Sequence, residues 1–139
     1  MTPAADEPSK PAGGPAPGRG AGWRTILVDG FEVLVGKAAR DNDALTFGAA
    51  APHDFWLHAA GYAGSHVVVR NPERLAALPR PVLVRAAELA AWHSKAQQAG
   101  GKVEVHACRA AEVSKPRGAP PGEVRIRNWE SLRVYPRGE

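Results

Sequence analysis

The dipeptide Asp29-Gly30 separates two short runs of β-branched and apolar residues, 24–28 and 31–35. Aspartate and glycine both tolerate the positive φ angles that a tight two-residue hairpin turn requires. The pattern therefore predicts that the fold opens with an antiparallel β-hairpin.

A short helix is predicted after the hairpin. Asp41 or Asn42 has the side chain of a helix N-cap, and Leu45 and Ala49 then fall one turn apart on an apolar side. Pro52 is predicted to end this helix, because proline lacks the backbone N–H that continues the ladder.

One long helix and several strands account for the rest of the chain. The helix is predicted over 81–99, with Pro81 in its first turn and Gly100-Gly101 after its last. Strands are predicted before and after this helix, at 55–59, 66–70, 102–109, 123–127 and 132–135. A Pro- and Gly-rich loop is predicted over 116–122. This order favours an α+β fold, a mixed or antiparallel sheet with one long and one short helix.

The first 22 residues contain five prolines and five glycines and almost no large apolar side chain. Such a segment cannot bury enough surface to offset the entropy of ordering it, so we predict a disordered tail over 1–22 and one domain over 23–137. No secretory signal or membrane-spanning pattern is present, so a cytoplasmic location is expected. Cys108 is the single cysteine, which excludes an internal disulfide and a thiolate zinc site.

Positive charge is concentrated in the last third of the chain. The net charge is +4, and residues 95–139 hold nine Lys or Arg against five Asp or Glu, whereas the preceding residues balance. A one-sided basic field suggests an anionic partner, nucleic acid first, although a solvated charged surface would give the same count.

The densest group of reactive side chains lies in residues 52–66, PHDFWLHAAGYAGSH. On a strand over 55–59, side chains alternate between faces, so Asp54, Trp56 and His58 share one face and the apolar residues between them face the core. Ser65 and His66 follow the next turn and are predicted to lie near His58.

Three functions fit these residue types. His58, His66 and Asp54 could bind a metal, although their spacing matches no familiar ligand pattern. The same three residues, or Ser65 with His66, could perform acid–base or nucleophilic catalysis, but no nucleophile elbow is present. In a binding site, Trp56 would stack on a base, and the histidines would donate to phosphate oxygens. Alternatively Trp56 is covered by a helix and His58 is a buried, satisfied histidine. No metal or cofactor is expected.

Motifs in a fixed order resemble a known family. They are GFEVLVGK at 30–37, ARDND at 39–43, LT at 45–46, DFWLHA at 54–59, GSHV at 64–67, AAELAAWHSK at 86–95 and VSKPRGAPPG at 113–122. The motifs and their order resemble those of the NFACT-R domain. This is the RNA-binding domain of the NFACT proteins, which act in ribosome-associated quality control and were formerly grouped with fibronectin-binding protein A. Ala63, His106 and Cys108 depart from the residues usual in that family.

The resemblance implies a domain that binds tRNA or the RNA of the large ribosomal subunit. Multidomain relatives assist the addition of C-terminal residues to stalled chains, and this sequence resembles their RNA-binding domain as a stand-alone protein. The RNA-binding residues expected on this basis are Lys37, Arg40, Asp54, Trp56, His58, Ser65, His66, Arg70, Lys95, Lys115 and Arg117.

Asp54 is expected to act indirectly, since a carboxylate repels phosphate; it would accept a hydrogen bond from His58 or from a loop amide. Two other classes of function stay open. One is a protein-interaction module, and the other is an RNA-processing enzyme using His58, His66 and Asp54.

Overall fold

The computed structural model describes residues 22–139, so the tail predicted over 1–22 lies outside the described residues except for Gly22. The architecture is α+β, as predicted. Six antiparallel strands form one sheet in the order β1-β2-β4-β3-β5-β8. These strands are β1 Trp23–Val28, β2 Phe31–Gly36, β3 Phe55–Ala59, β4 Val67–Val69, β5 Val103–Arg109 and β8 Glu130–Val134.

The predicted hairpin is confirmed. Strands β1 and β2 pair from Trp23↔Gly36 to Val28↔Phe31, and Asp29 and Gly30 both have positive φ, 49° and 85°. Two positive φ angles in succession define the turn whose twist matches the flanking strands.

A smaller two-stranded sheet pairs β6 Val113–Ser114 with β7 Arg125–Ile126. The strand predicted over 123–127 is therefore shorter and pairs outside the main sheet. The loop predicted over 116–122 connects these two strands.

The short helix, α1 Ala39–Ala44, does not begin at Asp41 or Asn42 as predicted. Its N-cap is Ala38, and the Asn42 side chain instead contacts a distant segment, donating from Nδ2 to the Gly64 carbonyl and accepting from the His66 amide. The helix runs directly into a π-helical turn, Leu45–Ala49, whose Leu45 and Ala49 are buried as predicted.

The long helix, α2 Arg80–Trp92, ends seven residues before the predicted position of 99. Ser94 is extended and its Oγ accepts from the Ala96 amide, which starts a separate 3₁₀-helix, Lys95–Gln98. Gly64 crosses Ser94 so closely that a Cβ on the glycine would lie 2.5 Å from the serine Cβ. A tertiary contact and a serine cap thus end the helix before the glycines do.

Hydrophobic cores lie on both faces of the sheet. On the first face α2 covers Leu57 and Ala59, as predicted for the apolar face of β3. On the second face α1, the π-helical turn and the small sheet cover β2, β4 and β3, and this core contains Leu34, Val68 and Trp56. No helix within residues 22–139 has the length and apolar character needed to cross a bilayer.

Candidate nucleic-acid interface

An open groove of about 790 Å³ lies at one end of the sheet. It brings together the end of β2, the end of β3, the turn before β4, the end of α2 with its 3₁₀-helix, and the loop before β7. Four of the predicted RNA-binding residues line it, namely Lys37, His58, Ser65 and Lys95. Residues far apart in sequence therefore converge on one concave surface.

The two lysines come from different elements and are both exposed. Lys37 follows β2, and its amide donates to the Gly22 carbonyl at 2.9 Å. Lys95 opens the 3₁₀-helix, and its amide donates to the Ala63 carbonyl at 2.8 Å. The Ser65 amide donates to the His93 carbonyl at 2.9 Å, so the turn and the helix end form one wall. These backbone hydrogen bonds thus fix the positions from which the two lysine side chains extend.

His58 is half-buried and lines the groove from β3. Burial above all, together with the neighbouring His66 and His106, lowers its pKa from 6.5 to about 4, although a backbone hydrogen bond with Gly64 acts in the opposite direction. The imidazole is therefore neutral at pH 7. Because the neutral ring has one N–H and donates it to the Gly64 backbone, it offers a ligand one acceptor nitrogen and no charge.

We expect the stability of the protein to fall between pH 6.5 and pH 4. In this window the unfolded chain protonates His58, near its ordinary pKa of 6.5, while the folded protein does not until about pH 4. Because the unfolded state binds more protons in this window, acid favours the unfolded state. Protonation of His58 alone is expected to lower the free energy of unfolding by roughly 2 kcal/mol between pH 7 and pH 5. Urea unfolding across this range measures the slope.

In the variant His58→Gln the slope of unfolding free energy against pH is expected to flatten over this window. The pH dependence that remains in this variant is expected to come from His66, whose pKa is also lowered by burial. An unchanged slope in His58→Gln would show that the imidazole is not desolvated in the folded protein.

Trp56 is not exposed, contrary to the prediction that it stacks on a base. Only 1% of the residue is accessible, and its indole Nε1–H donates to Thr46 Oγ1 at 3.1 Å. The π-helical turn that carries Thr46 covers the indole. A base therefore cannot reach this ring in the folded protein.

His66, predicted to donate to phosphate, is also buried, at 1% exposure. The Gly122 carbonyl can only accept, so Nε2 carries the proton of the neutral His66 ring, and the Thr46 hydroxyl donates to Nδ1, 2.7 Å away. Nδ1 is then unprotonated, and Nε2–H donates to the Gly122 carbonyl at 3.1 Å. This chain of bonds fixes the tautomer and uses both ring nitrogens, so His66 positions the loop before β7 rather than facing a ligand.

Asp54 is buried at 2% exposure and accepts two loop amides, from Ala51 and Asn71, each at 2.8 Å. The expectation that it binds a loop amide is confirmed, and the alternative partner His58 is wrong. Arg70 lies 3.4 Å from the same carboxylate and also donates to the Ala49 carbonyl, so its guanidinium is engaged away from the groove. Within residues 22–139 no three His, Cys, Asp or Glu side chains are arranged to hold a metal ion.

Lys115, predicted to contact phosphate, organises its own loop. Its Nζ lies 3.0 Å from the Asp43 carboxylate and donates to the carbonyls of Pro120 and Glu123, at 2.5 and 2.9 Å. Asp43 also accepts the Gly122 amide at 3.0 Å. The three donors of the ammonium are thus used within the protein.

A family model described as the NFACT protein RNA binding domain matches residues 23–128. The chain belongs to this family. The Rqc2 homolog RqcH of Bacillus subtilis is 38% identical over 109 residues, which cover 78% of this chain and 18% of that protein. The Streptococcus suis RqcH is 40% identical over 117 residues, which cover 81% of this chain and 20% of that protein. The chain therefore spans about a fifth of the length of these relatives.

A solved structure is similar to the NFACT-R fold seen here. It is the C-terminal part of the fibronectin/fibrinogen-binding protein from Streptococcus suis, which superposes with a TM-score of 0.77 at 38% identity. The similarity covers 86% of this chain and 47% of that one.

Within this NFACT-R domain the predicted residues fall into three groups. Lys37, His58, Ser65 and Lys95 line the groove, while Arg40 and Arg117 are exposed outside its lining. Asp54, Trp56, His66, Arg70 and Lys115 instead hold segments together.

Tyr62, which lines the groove and is 42% exposed, is not among the residues predicted from the sequence. An aromatic side chain between Gly61 and Gly64, in a turn, was the signal that could have found it. Trp92 also lines the groove, but the C-terminal Gly138 lies against its indole.

Proposed function

We propose that this NFACT-R domain binds RNA in the groove, with Lys37 and Lys95 contacting phosphates. The observation that carries the proposal is that two exposed lysines from separate elements flank one concave surface that contains the neutral His58. Among the residues that the structure describes, the lining holds one acidic side chain, Glu123, against these two lysines. Phosphate contacts position a nucleic acid without reading its sequence. Tyr62 takes the stacking role that was assigned to Trp56, because its ring is accessible at the groove.

The other predicted residues contribute around and beneath the groove. Arg40 and Arg117 extend the cationic surface, and Ser65 Oγ, which donates to the Gly36 carbonyl, keeps lone pairs for a ligand. Trp56 and His66 act through Thr46 and Gly122, by holding the groove wall in place.

For the bound RNA we propose tRNA or the RNA of the large ribosomal subunit, in a translation-related role. Support comes from the relatives named RqcH and from the family description. Recovery of protein-bound RNA after crosslinking in cells, followed by sequencing, tests this assignment. Enrichment of neither tRNA nor ribosomal RNA over total cellular RNA would refute it.

The affinity for RNA is expected to fall steeply with salt and to depend on Lys37 and Lys95. Each phosphate contact adds about 0.7–0.9 to the slope of log K against log salt, or about 5–8-fold at 0.1 M salt. The double variant Lys37→Ala, Lys95→Ala should therefore bind about 25–60-fold more weakly and show a slope flatter by about 1.4–1.8 units. Fluorescence anisotropy with unfractionated tRNA, from 0.05 to 0.5 M salt, measures both.

Arg80→Ala is the matched control. Arg80 is an exposed cation at the first residue of α2, about 18 Å from the groove end of that helix. Equal losses for Arg80→Ala and the lysine variant would mean that binding follows net charge, and a salt-independent wild-type affinity would refute phosphate contacts altogether.

Two other functions have less support. Catalysis by His58, His66 and Asp54 requires a free proton-transfer pair, but His66 and Asp54 are committed to the contacts described above. A protein-interaction module is favoured by one feature, the edge strand β1 with Leu27 at 71% exposure. Partners that survive nuclease treatment in a pull-down, and that are lost in Leu27→Ser, would support it.

A further inference from the structure

The second face of the main sheet is covered over only part of its width. On β2, β4 and β3 this face is buried at Leu34, Val68 and Trp56, each at 1% exposure or less. At its margins Glu32 on β2 is exposed and His58 on β3 is half-buried. On β5 and β8 the same face carries His106, Ser131 and Arg133, which are half-buried or exposed. Beyond the small sheet, two strands thus present side chains to solvent.

An aromatic pair stands on this open part of the sheet. The indole of Trp129, in the residue before β8, stacks on the His106 imidazole with ring centres 3.9 Å apart and planes at 27°. Trp129 is nevertheless 45% exposed. Since His106 supports one face of the indole, a flat aromatic surface in a fixed orientation is left for a ligand.

Hydrogen bonds and charges surround the pair. Glu104 accepts from Ser131 Oγ at 2.7 Å and contacts His106 Nε2 at 3.2 Å, which holds the imidazole under the indole. Arg133 lies directly across from Glu104, and Lys102 lies 5.6 Å from the Tyr135 ring. We call Glu104, His106, Trp129, Ser131 and Arg133 the sheet platform.

The sheet platform is continuous with the groove. His58, which lines the groove, is the cross-strand partner of His106 on the same face. Directly opposed residues on adjacent antiparallel strands have Cβ atoms about 4.5–5.5 Å apart. A polymer leaving the groove past His58 therefore meets the Trp129–His106 pair after one strand spacing.

We infer that the sheet platform binds an unpaired nucleotide of an RNA strand that continues from the groove, with its base on the outer face of Trp129. This inference rests on the proposed function of the groove. Stacking on an exposed indole requires a base that has left its own helix, so the ligand class is single-stranded or looped RNA rather than a duplex. Arg133 supplies the phosphate contact, at the far side of the platform from His58.

The test compares a 12-nucleotide RNA without self-complementarity with the duplex it forms with its complement. Replacing Trp129 by alanine in the full chain should weaken binding of the single strand about 5–150-fold, the range of one base stack. The salt slope should stay the same, because no charge is removed, and duplex binding should be unaffected. Trp129→Phe keeps a stacking face and is expected to retain most of the affinity.

Phe47→Ala is the matched control, an aromatic of 44% exposure on the π-helical turn, and circular dichroism melting verifies that both variants fold. A folded Trp129→Ala protein with wild-type affinity, while Lys37→Ala is weakened, would overturn the platform and leave the groove standing. If Trp129→Ala keeps wild-type RNA affinity but no longer binds a protein partner that the wild type retains after nuclease treatment, the platform would also be refuted. Failure of the wild type to bind either RNA would overturn both proposals.

Discussion

Replacing Trp56 by alanine is expected to lower the free energy of unfolding by about 3–5 kcal/mol, as for other buried tryptophans. The indole is 1% exposed and packs with Leu34, Leu45 and Val68 in the core of the second sheet face. Its loss leaves a cavity there and removes the donor to Thr46 Oγ1. Urea unfolding followed by circular dichroism measures the change, and Trp129→Ala, at an exposed position, should shift the midpoint far less.

The variant Trp56→Phe separates packing from RNA contact. Phenylalanine keeps most of the apolar volume and loses only the N–H donor, so we expect a smaller loss of about 1–2 kcal/mol. A folded Trp56→Phe protein should bind RNA with wild-type affinity, because the ring does not reach the ligand. Wild-type stability together with a large loss of affinity would restore the stacking role for Trp56.

The hairpin and β3 could be predicted because local chemistry determines them. Asp29-Gly30 specifies its turn through backbone angles, and the alternation in DFWLHA assigns Leu57 and Ala59 to the face under α2. The same alternation placed Trp56 on the opposite face, also correctly. It could not show that a second layer covers that face, since this layer comes from residues 39–49 and from the small sheet.

The remaining errors have the same origin in long-range contacts. Lys115 looks like a free cation in sequence, but the carboxylate that binds it, Asp43, lies 72 residues earlier. The helix predicted to reach residue 99 ends where Gly64 crosses Ser94. Residues 93–99 contain good helix formers, so propensity alone gives no reason to stop there.

The groove was partly predictable for a different reason. Lys37, His58, Ser65 and Lys95 were selected as polar or cationic positions in or beside the motifs, and they do converge. Selection by residue type, however, cannot separate side chains that face a ligand from those that hold a wall. Burial and hydrogen bonding make that separation, and they assign His66 to the wall and Tyr62 to the open surface.

Replacing Asp54 by alanine is expected to destabilise the protein about as much as Trp56→Ala. The carboxylate accepts the buried amides of Ala51 and Asn71 and forms an ion pair with Arg70. Removing one partner of a buried ion pair costs about 3–5 kcal/mol, and each unsatisfied amide adds to the loss. Asp54→Asn should cost less, about 1–3 kcal/mol, because one amide oxygen still accepts. Urea unfolding at pH 7 measures both.

The position of Asp54 also separates a structural from a binding role. It precedes β3 and lies four residues from His58, about 13 Å along an extended chain, so it is remote from the groove. Folded Asp54→Asn should therefore bind RNA as the wild type does. Glu73→Ala, an exposed acid near Asn71, is the control and should change stability by less than about 0.5 kcal/mol. An Asp54→Asn protein of unchanged stability but reduced RNA affinity would instead place the carboxylate in the binding surface, where it would have to accept hydrogen bonds from the RNA rather than from the loops.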